Sequence, residues 1–176
     1  MKLSLDNIKD FAVPLDLSII GQFFTDEDNL IPTDEHKDQI FLFKKDASRF
    51  LWDFEHKVLG IEANPEFYKT VSTYDSNNKE RAEIKKYLYN LEIPFKNWVF
   101  IAEQPYLGFL LTWKMVVKYS SGIFNEDQTV WDKTLNWKLE YHHDGIFTFG
   151  KDLIYSATSE GDKISTYLAE MKNRQY

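Results

Sequence analysis

The 176-residue chain contains no cysteine, which excludes disulfides, thiolate metal sites and a cysteine nucleophile. Its seven glycines leave little material for a phosphate-cradling loop, and neither the P-loop spacing nor the dinucleotide glycine pattern occurs. A nucleophile elbow and the His-Glu-x-x-His pair of zinc proteases are also missing. No uninterrupted apolar run approaches the ~20 residues that a membrane-spanning helix needs. The opening MKLSLDNIKD carries Asp6 and Asp10 where a signal peptide has an unbroken apolar stretch. These absences suit a cytoplasmic protein with no membrane partner, no metal and no cofactor. They lean away from an enzyme, although catalytic groups scattered along the chain would leave no such trace.

Basic charge is scarce as well. Lys and Arg number 21 against 28 Asp and Glu, a net charge of −7. Nearly all of the imbalance lies in an acidic N-terminal segment, 1–35. There Asp6, Asp10, Asp16, Asp26, Glu27, Asp28, Asp34 and Glu35 face only Lys2 and Lys9, a charge of −6. Phosphate backbones are bound by clustered Lys and Arg, so nucleic acid is a poor partner. A basic protein surface is a better one, because complementary potentials speed encounter and fix orientation.

What the chain has in quantity is core-forming material. Hydrophobic residues make up 43% and aromatic residues 16%, enough for a real core. A chain of this length buries roughly two-thirds of its unfolded surface. No internal repeat, low-complexity tract or linker divides it, so 1–176 reads as a single α+β domain.

Periodicity gives the layout. Phe109, Leu111, Trp113, Met115, Val117 and Tyr119 alternate with polar neighbours, as do Trp131, Leu135, Trp137, Leu139 and Tyr141. A period of two predicts a long antiparallel hairpin, 109–119/131–141, with one aromatic buried face. A further strand is expected over 146–150. The turn between 141 and 147 selects its own length. The three-residue loop His143-Asp144-Gly145 pairs Tyr141 with Phe147 and Leu139 with Phe149, and Gly145 supplies the left-handed residue. Trp98–Ala102 is a short apolar run of strand length, and so is Ile40–Phe43.

Helices are expected over 47–59, capped by Asp46 and ended by Gly60, and after Asn64-Pro65 with Phe67, Val71 and Tyr74 inward. Another follows Asn77-Asn78, with Ile84, Tyr87, Leu88 and Leu91 on one face and Pro94 at its end. A last one carries Ile164, Tyr167, Leu168 and Met171. The fold class expected is α+β: an antiparallel sheet packed on one face by three to four helices.

Two groups of residues invite a function. Asp26, Glu27, Asp28, Asp34 and Glu35 form an acidic patch. The connection after 119 adds Ile123 and Phe124, apolar in a stretch that should be polar, followed by Glu126 and Asp127. An aromatic anchor beside acids is how a hot spot for a basic partner looks. Asp26-Glu27-Asp28-Asn29 is not a calcium loop, since Leu30, the missing glycine and Lys37 break that pattern. The other group is the polar face of the expected sheet, with Asp132, Glu140 and His142 as acid, base or ligand candidates. Adjacent His142 and His143 point to opposite sides of a strand and are poorly placed to share an ion. His56, beside Glu55 on a helix, is expected to face solvent. The leading expectation is a small acidic, non-enzymatic binding protein that docks a basic protein partner. An immunity protein, or another inhibitor of a toxic enzyme, fits this size, charge and lack of motifs. The alternative is a ligand-binding or hydrolytic domain using His142, Glu140 and Asp132.

Overall fold

The computed structural model describes residues 3–15, 24, 32–56 and 68–153. In chain order these residues form a 3-10 turn (Ile8–Phe11), β1 (Ala12–Pro14), α1 (Asp34–Lys37), β2 (Ile40–Phe43), α2 (Lys45–Phe54), β3 (Tyr68–Asp75) and α3 (Arg81–Tyr89). Then come β4 (Trp98–Gln104), β5 (Leu107–Thr112), α4 (Trp113–Lys118), α5 (Ser120–Ile123), β6 (Gln128–Trp131), β7 (Trp137–His142) and β8 (Ile146–Leu153). The eight strands make one sheet in the order β1-β2-β5-β4-β6-β7-β8-β3. Every neighbouring pair in it is antiparallel. The chain is thus mixed α+β, with a larger sheet than its periodicity suggests.

Strand alternation divides the interior in two. Val99, Ile101, Phe109, Leu111, Val130, Leu139, Phe147 and Phe149 fall on one face, with Leu88 of α3, Trp113, Met115 and Val116 of α4 and Ile123 of α5 in the same cluster. Phe43, Phe100, Ala102, Leu110 and Trp131 fall on the other, with Ala47, Phe50, Leu51 and Phe54 of α2 and with Leu3 and Ile8. Each large apolar side chain so buried contributes about 1.5–3 kcal/mol, and both faces of a sheet can be covered only if its strands are apolar on both sides. The central strands read that way: WVFIA in β4 and FLL in β5. Helices therefore lie on both faces of the sheet, not on one.

Two further expectations are corrected. The long hairpin 109–119/131–141 does not exist, because β5 ends at Thr112 and α4 begins at Trp113. The buried positions Trp113, Val116, Tyr119, Ser120 and Ile123 also satisfy a helical spacing. The first helical N–H groups find carbonyls elsewhere: Trp113 N–H donates to Asn97 at 2.8 Å and Lys114 N–H to Phe95 at 3.1 Å. The run 131–141 is itself broken into the β6–β7 hairpin. Its turn is built on Asp132, whose carboxylate accepts from Thr134 N–H (2.8 Å), Asn97 Nδ2 (2.7 Å), Trp137 Nε1 (2.9 Å) and the Thr134 hydroxyl. Leu135 takes the left-handed conformation there, with φ 58°.

The helix expected around Val71 and Tyr74 is instead strand β3, paired with β8 from Tyr68↔Leu153 to Asp75↔Ile146. Its β-branched and aromatic residues suit a pleated surface.

Other expectations match. β2 and β4 cover the two short apolar runs, and β7 pairs with β8 as Tyr141↔Phe147 and Leu139↔Phe149 around Gly145 at φ 89°. The helix after Asp46 begins at Lys45, without a side-chain cap. Gly60 and the helix at 164–171 lie outside the described residues. No described helix is long and apolar enough to cross a membrane.

Candidate functional site

α2 packs on β4 and β5, and its ring stack Phe54–Trp131 (5.2 Å) closes the apolar contact where the helix ends. Beyond Phe54 the surroundings of the helix end turn polar. Glu55 and His56 follow the helix, Glu103 and Gln104 end β4, Gln128 and Thr129 open β6, and Glu140 and His142 end β7. Together with Trp52, Ala102, Glu126, Asp127 and Tyr141 they line an open cleft of about 450 Å³. Five of its lining residues are carboxylates and none is Lys or Arg.

The electrostatics are set by burial. Glu55 is 9% exposed, and its Oε2 accepts the Trp131 indole N–H at 3.0 Å. Burial pushes its carboxyl up to about 8, against the opposing pull of that N–H and of Lys138; Glu140 and Glu103 reinforce the rise. Glu103 is also raised by burial. Under the cleft floor lies Lys138, fully buried on the Trp131 face, whose ammonium donates to Glu140 Oε1 at 2.7 Å. A buried ammonium requires such a partner, and the pair holds Glu140 in place. At the rim, the carboxylate of Asp127 accepts from the His143 backbone N–H (2.7 Å) and lies 2.9 Å from Nδ1 of the same residue. These contacts hold Asp127 below the usual carboxylate range and raise His143 above the usual imidazole range. His56 stacks on Trp52 with ring centroids 3.9 Å apart and donates from Nδ1 to the Trp52 carbonyl at 2.9 Å.

Both groups of sequence candidates contribute to this cleft, each in part. Glu126 and Asp127 from the first and Glu140 and His142 from the second line it together. Asp132 does not, being buried in the β6–β7 turn with its oxygens committed there. Ile123 and Phe124 are 3% and 6% exposed; they pack in the core, with Phe124 edge-on to Phe147 at 5.0 Å, and are not surface anchors. Glu35 is exposed on α1, away from the cleft lining, and Asp34 opens that helix. Asp26, Glu27 and Asp28 lie outside the described residues.

Glu55, Glu103, Trp52 and His56 are the residues that sequence reasoning missed. Lys138 and Glu140, two apart on a strand, share a face, but the sequence does not show that this face is covered. Among the described residues no group of three or more His, Cys, Asp and Glu is placed to hold a metal ion. No family model, curated protein or solved structure matches the chain.

Proposed function

We propose that the protein is a small acidic, non-enzymatic binding protein whose cleft docks a basic protein partner. The observation that supports this is the gathering of Glu55, Glu103, Glu126, Asp127 and Glu140 in one open cleft with no cation in its lining. The Glu103, Glu126 and Asp127 carboxylates, held together on a low-dielectric wall, focus negative potential outward, and a complementary cationic surface relieves it. Tyr106 stands two residues beyond Gln104 and is 66% exposed, an aromatic of the kind enriched at interfaces. An inhibitor or immunity protein that covers the cationic surface of a toxic enzyme is the role that fits.

The test is association kinetics with a basic partner recovered at low ionic strength. Glu103→Gln, Glu126→Gln and Asp127→Asn combined should slow the on-rate and flatten its salt dependence while the off-rate changes less. An unaltered on-rate and salt slope would remove this reading.

One observation favours a second reading. A carboxyl raised to about 8 in the same cleft as Glu140 and His142 is the arrangement of a general acid beside a base. Turnover of a small-molecule substrate that is lost in both Glu55→Gln and Glu140→Gln, with each variant folded, would transfer the assignment to a hydrolytic domain.

A further inference from the structure

Within the docking reading, on which this inference rests, the cleft has an inner end with a chemistry of its own. Glu55 is nine-tenths buried, yet only one of its oxygens is engaged: Oε2 accepts from Trp131, while no described residue donates to Oε1. Glu55 lines the cleft, and the ammonium that acts on it, Lys138, donates to Glu140 at 2.7 Å. Beside it stand the stacked rings of Trp52 and His56. We infer that this end of the cleft receives one arginine side chain of the basic partner, its guanidinium bonded to Glu55 Oε1 and set against the Trp52–His56 rings.

Arginine suits the place better than lysine for three reasons. Its planar head stacks on rings, its several donors reach more than one carboxylate oxygen, and it sheds water more readily than an ammonium. The Glu103 and Glu140 carboxylates add their field to the same spot, acting on Glu55 from β4 and β7.

Seating a cation there has a protonic consequence. The groups that face Glu55 are the Trp131 N–H from β6, Lys138 and Glu140 from β7 and Glu103 from β4, and with these alone the carboxyl holds its proton at neutral pH. An arriving guanidinium favours the ionised form, so binding releases about one proton and tightens with rising pH by roughly tenfold per unit below the Glu55 pKa.

The experiment uses the full chain and two peptides of equal length and charge, one arginine-rich and one lysine-rich. They are titrated by calorimetry in buffers of different ionisation enthalpy, with the Trp131 indole N–H resonance as a local reporter. The expected result is arginine binding roughly fivefold or more tighter, the weight of one further charge-assisted hydrogen bond. It should come with a shifted Trp131 signal and proton release that Glu55→Gln abolishes and that Glu35→Gln, outside the cleft lining, leaves intact. Equal binding of both peptides without proton release by the wild type overturns this inference and leaves the docking reading standing. Binding of neither peptide overturns both. The wild-type proton count serves as the test even if the Glu55 variant does not fold.

Discussion

Glu55→Gln should stabilise the fold at neutral and alkaline pH while leaving it nearly unchanged in mild acid. The carboxyl has a folded pKa of about 8 against an ordinary 4.5. A raised carboxyl reverses the usual acid behaviour: below 4.5 both folded and unfolded chains hold the proton, and Glu55 costs nothing. As pH climbs from 4.5 towards 8 the unfolded chain ionises freely while the folded one must keep its proton, so stability falls across that window. Each pH unit is worth about 1.4 kcal/mol, which places the loss at about 3 kcal/mol by neutrality.

Gln has nearly the same volume, keeps a carbonyl to accept the Trp131 N–H, and does not titrate. The variant should therefore match the wild type in mild acid and exceed it by about 3 kcal/mol at neutral pH, or roughly 6–12 °C in Tm for a chain of this size. Urea and thermal unfolding of both proteins at several pH values read this directly. Stability curves that run parallel from mild acid to mild alkali would refute the burial argument for Glu55, and with it the proton release expected on arginine binding.

Gly145→Ala should destabilise by about 2 kcal/mol, since a Cβ there would lie 2.6 Å from Asn77 Oδ1 in a backbone with φ 89°; denaturant midpoints check it. Lys138→Met keeps the buried stem but removes the ammonium that donates to Glu140, and a loss of about 3 kcal/mol is expected in urea unfolding at neutral pH. Asp127→Asn should let the His143 imidazole fall back towards its ordinary pKa, which a proton NMR titration of the ring resolves; no movement would mean that the pair does not form in solution.

How much of this was legible in the sequence depends on how local the deciding contacts are. The β7–β8 turn was readable because three residues and a glycine settle its register. β2 and β4 were readable because a short apolar run between polar neighbours has few other uses. The segment from Trp113 was not. Its residues satisfy both a period of two and a helical spacing, and the choice falls to carbonyls of Asn97 and Phe95 that receive the first helical N–H groups. β3 was misread for a similar reason, since its only described ladder is to β8, more than seventy residues later. The cleft draws Glu55, Glu103, Glu126 and Glu140 from four separated segments, and only the strand order brings them together. Nothing local in the sequence reveals that the face of the sheet carrying Lys138 is covered.

The strand order also bears on the sequence of events as the chain is made. β4–β5, β6–β7 and β7–β8 are neighbours in both chain and sheet, so each can close early at small entropic cost. Among the described residues of the first half, the short β1–β2 pair is the one such neighbour. Until β5 is made, β2 has only the three-residue β1 beside it, and β3 has no described partner until β8 is complete. Folding should therefore start in the C-terminal half and recruit the N-terminal strands last, which makes it slow for its size. A nascent chain halted before residue 107 would present β2 and β3 as unpaired edges, the state most exposed to aggregation and most in need of a chaperone.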